Sequence, residues 1–240
     1  MAAFGTNAKI AAPVHSDLPM RQLLLDLLPA SPPTLDNFVP GGNAETLDAL
    51  TGWLAGARAD TSFCLWGEAG SGRSHLLLAS GFAYVDAARD PALATAPEAE
   101  QLAIDHVDAL NDTGQIALFN HFNRLKMAAG MLLTAADQPP AHLALREDLR
   151  TRLGSGLIYR LLPLSDAEKA AALAAQAKER ALKLTPEAID YLMRHAPRDM
   201  RTLSAFVVAL DRYTLEHKRA VTLPLLRELL TETLPLDLGQ

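Results

Sequence analysis

The run Gly67-Glu68-Ala69-Gly70-Ser71-Gly72-Arg73-Ser74 carries the densest chemical signal in the chain. Glycines at this spacing let backbone N–H groups wrap phosphate oxygens. A helix opening at Arg73 would bring its partial positive charge to the same point. With an apolar strand before it and a helix after it, this is the layout of a phosphate-binding P-loop, in which the Ser74 hydroxyl reaches Mg2+. One position departs: Arg73 stands where such loops carry lysine. Arginine keeps the charge but is longer and planar, which suits phosphate binding better than it suits hydrolysis geometry. The competing reading is a glycine-rich turn with no ligand, and the strand–loop–helix context weighs against it.

A second cluster is Leu102-Ala103-Ile104-Asp105-His106-Val107-Asp108. An apolar strand ending in an acid is the Walker B pattern, in which Asp105 holds Mg2+ through water. The next position normally carries a second acid that polarises the attacking water, and here it is His106. A neutral imidazole can act as a base; the simpler reading is that the catalytic acid is missing. Asp108 reads as a surface acid without a role. The third cluster, Gln22-Leu23-Leu24-Leu25-Asp26-Leu27, lies between Pro19 and Pro29. The prolines favour an extended peptide over a helix. A glutamine amide followed by alternating leucines can fill an apolar groove on a partner. The plain alternative is a leucine-rich segment packed on the chain's own domain.

These groups need a scaffold, and the hydrophobic pattern supplies one. A helix is expected over 44–58, from Leu47, Leu50, Trp53 and Leu54 on one face. Strands are expected at Ser62–Trp66, Phe82–Val85, Leu102–Val107, Met131–Thr134 and Leu157–Leu162. Asp112 with Gln115 reads as a capping box opening a helix that stops at Gly130, and a short helix is expected around Asp148–Leu153. Alternating strands and helices imply a parallel sheet covered by helices, so the fold class is α/β. After Pro163 only helices follow: one capped by Ser165 with Glu168, one opened by Thr185-Pro186, one from about Arg198 and one from Thr222. The expected division is a disordered tail or over-called start at 1–19, an extended peptide and linker at 20–34, an α/β nucleotide-binding domain at 35–163 and a helical lid domain at 164–240. Asp105 follows Ser74 by only 31 positions. A short P-loop helix, and a loop in place of a full crossover helix, are therefore expected.

The 240 residues are 49% apolar and 21% charged, with 22 Lys and Arg against 28 Asp and Glu, a net charge of −6. That balance argues against a broad, nonspecific nucleic-acid surface. The single cysteine, Cys64, excludes a disulfide framework and a cysteine-built zinc site, and reads as a small buried hydrophobe. No run of apolar residues is long enough to span a membrane, and residues 1–19 lack the apolar stretch of a signal peptide. A cytoplasmic protein is expected.

Five motifs in order resemble the DnaA-related AAA+ proteins, and more closely the Hda family, from residue 20 to about 231. Leu35-Asp36-Asn37-Phe38-Val39 resembles the family segment that lies against adenine, and Arg73-Ser74-His75-Leu76-Leu77 resembles a family variant of the P-loop. Leu132 to Pro140 resembles the sensor 1 strand and loop, pointing to Asp137. Asp148 to Gly154 resembles the box that supplies an arginine finger, pointing to Arg152. Arg198 to Leu203 resembles the sensor 2 helix, pointing to Arg201. The Gln22–Leu27 run resembles the peptide by which proteins dock on the β sliding clamp, through Gln22, Leu23, Leu25 and Leu27.

The resemblance implies a P-loop AAA+ three-layer fold with a small helical lid. It implies ADP or ATP with Mg2+ as cofactors, and nucleotide contacts from Asn37, Phe38, Val39, Gly67, Glu68, Ala69, Gly70, Ser71, Gly72, Arg73, Ser74, His75, Asp137 and Arg201. It implies a regulator of chromosome replication initiation: the chain would dock on the clamp and use Arg152 in trans to stimulate hydrolysis of ATP bound to DnaA, with little hydrolysis of its own. DNA contact is then expected only through the clamp, since no initiator-type DNA-binding domain is read in the sequence; a homo-oligomer stays open. Two alternatives stand beside this: an autonomous AAA+ ATPase or helicase loader, and a clamp adaptor with a decayed nucleotide site.

Overall fold

The computed structural model describes residues 32–218 and 220–233. The tail at 1–19 and the docking peptide with Gln22, Leu23, Leu25 and Leu27 lie outside the described residues. Five strands, β1 (Ser62–Trp66), β2 (Ala83–Asp86), β3 (Gln101–Asp105), β4 (Met131–Ala136) and β5 (Leu157–Arg160), form one sheet in the order β2-β3-β4-β1-β5. Every pairing is parallel. Two sets of helices sandwich it: α1 (Ala44–Leu54) and α2 (Arg73–Ala79) on one face, α3 (Asp112–Met127) and α4 (Glu147–Gly154) on the other.

The period of two along each strand divides the core. Leu102 and Ile104 join Leu118, Phe122, Leu125, Leu149 and Leu153 on the α3–α4 side. Ala103, Leu133 and Ala135 join Leu50, Trp53, Leu76 and Leu77 on the α1–α2 side. Burial on both faces is why these strands read as nearly unbroken apolar runs. Trp53 anchors α1: its ring lies 5.4 Å from that of Phe63 and 5.9 Å from that of Phe82, and its indole N–H donates to the Asp60 carbonyl at 2.7 Å.

Several local expectations need correction. The strand expected over Leu102–Val107 ends at Asp105, and that over Leu157–Leu162 ends at Arg160. The first helix ends at Leu54 rather than at 58, because Gly56 takes φ +76° and its N–H caps the Trp53 carbonyl at 2.9 Å. A left-handed glycine after the last turn is a common helix stop. The cap of α3 is Asn111, not Asp112: the Asn111 side chain accepts from the Gly114 N–H at 2.9 Å. Gln115 works elsewhere, donating to the Leu110 carbonyl and accepting from the Arg146 N–H at 2.9 Å, which ties α3 to the start of α4.

The short crossover is as expected. The P-loop helix α2 has seven residues, and β2 joins β3 through turns at 87–100 with no helix. Asp90 organises that connection by accepting from the N–H groups of Ala94 and Thr95 and from the Thr95 hydroxyl. These bonds, led by the Thr95 N–H, hold its carboxyl below the usual range. The loop packs on α3, where the Pro91 carbonyl accepts from the Asn111 N–H at 3.1 Å.

Four helices follow the sheet among the described residues: α5 (Asp166–Glu179), α6 (Pro186–His195), α7 (Met200–His217) and α8 (Leu223–Thr233). The Ser165–Glu168 capping box opens α5, and Thr185 with Pro186 opens α6. Asp199 caps α7 through the Thr202 N–H, so that helix starts after Arg198. Leu173, Leu192, Leu203, Phe206, Val207, Leu210 and Leu226 fill their common core. No helix among the described residues is long and apolar enough to cross a membrane.

Candidate functional site

Parallel strands bring their C-terminal ends to one edge of the sheet, where open α/β folds hold ligands. β1 ends there in Trp66 and the chain turns at once into the glycine loop. Gly67 donates to the Ala136 carbonyl at the end of β4, and Ser71 donates to the Glu68 carbonyl. Gly70 and Gly72 hold φ +79° and +99°, values that favour glycine. A Cβ at Gly72 would sit 2.7 Å from the Phe38 ring, so glycine also lets Phe38 pack directly on the loop.

The loop borders a cavity of about 660 Å³. Ala69 through His75 form one wall, Asn37, Phe38 and Val39 a second, and the C-terminal helices a third through α5 and α7. Two loop atoms fit an anion. Arg73 is only 9% exposed and its Nη1 is buried without a hydrogen-bond partner; Ser71 Oγ is buried and unpartnered too. A buried guanidinium nitrogen without a partner is costly, and phosphate oxygens would satisfy it and the serine hydroxyl.

The remaining expected residues fall into two groups. Arg201 reaches the cavity from the first turn of α7, positioned by the Asp199 cap. His75 faces Phe38 with ring centroids 5.5 Å apart, and its Nε2 lies 2.9 Å from the Thr34 carbonyl oxygen. Burial, with a smaller contribution from Arg201, lowers the His75 pKa despite that hydrogen bond. Asn37 lines the cavity but spends its amide on the chain entering the fold: Oδ1 accepts from the Thr34 N–H and Nδ2 donates to the Pro32 carbonyl. Gly67, Glu68, Asp105, Asp137 and Arg152 are not among the lining residues.

Asp105 is 1% exposed at the end of β3. Its Oδ2 accepts from the Tyr84 hydroxyl at 3.0 Å and its Oδ1 from the His106 N–H at 2.9 Å. Both oxygens keep lone pairs, so the carboxylate suits a metal-bound water. Asp137 follows β4 at the same sheet edge, and its N–H donates to Asp108 Oδ1 at 3.3 Å, giving Asp108 a positioning contact that the sequence did not reveal. Arg152, in the last turn of α4, lies on the α3 side: its guanidinium carbon is 5.6 Å from the Phe119 ring centre and 6.0 Å from that of Phe122. The α5 wall, with Ala172, Ala175, Gln176, Glu179 and Arg180, was also missed. Its alanines read as helix propensity, when they also leave room at the cavity.

Residues 166–230 match the family model described as the Hda lid domain. A curated relative from Haemophilus influenzae, described as an uncharacterized protein, is 31% identical over 228 residues, covering 88% of this chain and 98% of its own. The sheet and helices resemble domain III of DnaA from Thermotoga maritima, with a TM-score of 0.63 at 20% identity over 83% of this chain and 96% of that one. AMPPCP-bound DnaA from Aquifex aeolicus gives 0.61 at 23% identity, covering 79% and 68%. A RuvB variant from Thermotoga maritima gives 0.58 at 18% identity, covering 87% and 74%. The parallel sheet, the P-loop cavity and the matched lid helices agree, and the chain belongs to the Hda and DnaA-related family of AAA+ proteins.

Proposed function

We propose that this chain holds an adenine nucleotide in the P-loop cavity and regulates the initiation of chromosome replication by stimulating hydrolysis of ATP bound to DnaA. The observation that carries the reading is two buried polar atoms without partners, Arg73 Nη1 and Ser71 Oγ, on loop residues that line a cavity walled by helices of the matched lid. The fold likeness to a DnaA that carries AMPPCP supports the same ligand class. In this reading the loop N–H groups, Ser71 and Arg73 take the phosphates. Asn37, Phe38, Val39 and His75 form the base side, and Asp137 and Arg201 approach the nucleotide from β4 and the lid. Ser74 and Asp105 hold Mg2+ through water, and when bound the ion offsets phosphate charge. Residues 35–163 serve as the nucleotide unit and 164–240 as its lid.

Arg152 acts on the partner's nucleotide rather than on the chain's own. A cation set against a transferring phosphoryl group contributes about 10³–10⁵ in rate, or roughly 4–7 kcal/mol of barrier. Its place on α4, away from the chain's own cavity lining, supports a role in trans. Gln22, Leu23, Leu25 and Leu27 dock the chain on the β sliding clamp, and DNA is reached through the clamp. Clamp capture tests the docking half: wild type is expected to bind and Gln22→Ala to lose binding, while equal capture of both overturns it. Phosphate release from DnaA-bound ATP tests the other half, with Arg152→Ala as its control.

A further inference from the structure

Asn43 stands at the head of α1, where an asparagine side chain usually caps the first N–H groups of the helix. It makes no such cap. The residue is 3% exposed, and both ends of its amide go to one residue far along the chain: Nδ2 donates to the Leu162 carbonyl at 2.9 Å, and Oδ1 accepts from the Leu162 N–H at 2.8 Å. This is the paired bonding that a residue of a neighbouring strand would offer. Leu162 is the first residue past the sheet. Leu161 still donates to the Trp66 carbonyl on β1, whereas Pro163 has no N–H and Ser165 already caps α5. Thr46 on α1 adds a bond from its hydroxyl to the Arg160 carbonyl at 3.2 Å. Gly41 packs so closely on the linker that a Cβ there would run into the Leu164 and Glu168 side chains. Residues 41–46 therefore grip the chain where the sheet gives way to the lid. The segment before them is held to the P-loop, by the Phe38 ring packed on Gly72 and by the Thr34 carbonyl, which accepts from His75 Nε2. Between the two attachments Asp36 to Pro40 line the cavity, and Leu164 lines it from the linker.

We infer that Asn43 is a positioning residue for the nucleotide: by holding Leu162 it keeps the lid, and Arg201 on it, within reach of a ligand bound at the P-loop. This rests on the nucleotide reading above and deepens it, because that reading names the groups that line the cavity and not what holds its two halves together. Without the Asn43 amide both backbone groups of Leu162 lose their partner. Residues 162–165 then gain conformations that a bound ligand must freeze out again. Part of the interaction free energy goes into ordering the linker, and affinity falls. Contacts from the loop itself, through Ser71 and Arg73, do not depend on the linker. The loss therefore falls on the share of binding that the lid supplies.

Two readouts on the full chain test this. Hydrogen exchange without nucleotide is expected to show a protected Leu162 N–H that exchanges at least roughly tenfold faster in Asn43→Ala, while the Leu161 N–H keeps its rate. AMPPCP affinity by calorimetry is expected to fall at least roughly tenfold in the same variant. Arg201→Ala should weaken binding by wild type and have less than about a twofold further effect in Asn43→Ala, because the two residues act through one lid. Asn43→Ser, whose shorter side chain cannot reach both Leu162 groups, carries the same expectations if Asn43→Ala does not fold. Leu162 exchange unchanged by the substitution overturns the inference. So does unchanged affinity, or losses that multiply as independent effects, including an Arg201→Ala change that costs wild type nothing. No AMPPCP binding by wild type, with Leu162 exchange as expected, overturns the nucleotide reading instead.

Discussion

Arg73 is buried beneath the glycine loop with one nitrogen unpaired, and this makes the empty and filled states of the cavity respond oppositely to its loss. Replacing a buried arginine that lacks a partner at one nitrogen by an apolar side chain of similar length removes a desolvation cost of about 1–3 kcal/mol. Arg73→Met is therefore expected to raise the melting temperature of the nucleotide-free chain. The same change should abolish the further rise that AMPPCP gives wild type, because ligand stabilisation follows occupancy. Differential scanning calorimetry with and without AMPPCP checks both signs. Cys64, on β1 below the loop, gives a pH signature. Burial pushes its thiol up to about 11 from 9.0, against the opposing pull of Thr134 and Arg73. A raised thiol pKa favours the neutral form in the folded chain, so its contribution is fully present below pH 9 and is lost as pH rises to about 11. The loss is roughly 2–3 kcal/mol. Urea unfolding at pH 8 and pH 11 should show it, and Cys64→Ala should flatten the slope. Tyr84, raised by burial first and then by Asp105, keeps part of that slope in the variant.

The connection between β2 and β3 replaces a crossover helix by a loop seated on the first turn of α3. The seat leaves no room at Gly114, where a Cβ would meet the Pro91 carbonyl oxygen. Gly114→Ala is expected to cost about 1–3 kcal/mol, because backbone on both sides must shift. Chemical denaturation reads the loss, and Thr113→Ala, one position away on the exposed side, is the control. The shortness of this connection was legible from the spacing of Ser74 and Asp105 alone. The Ser165–Glu168 cap was legible too, since every partner lies within one turn. Asn111 was missed because Asp112 beside it satisfies the same local pattern, and Gln115 is claimed by Arg146, 31 residues away. The third cavity wall was illegible for a related reason: Ala172, Gln176 and Ser204 acquire a role only when α5 and α7 dock over the loop, which no local period encodes.

For the whole molecule, the two parts of the proposed function use different regions of the fold. The P-loop cavity lies between the strand ends and the lid helices, and Arg152 lies with Phe119 and Phe122 on the α3–α4 side. A nucleotide in the cavity would touch both the loop and α7, which line it together. The central claim concerns Arg152, and its most direct measurement is phosphate release from ATP-bound DnaA mixed with this chain, the β clamp and DNA. Release is expected to accelerate at least tenfold, up to the roughly 10³–10⁵ that an arginine supplied in trans can contribute, and to fall back to the unstimulated rate with Arg152→Ala. No acceleration by the wild-type chain, or equal acceleration by Arg152→Ala, would contradict the claim.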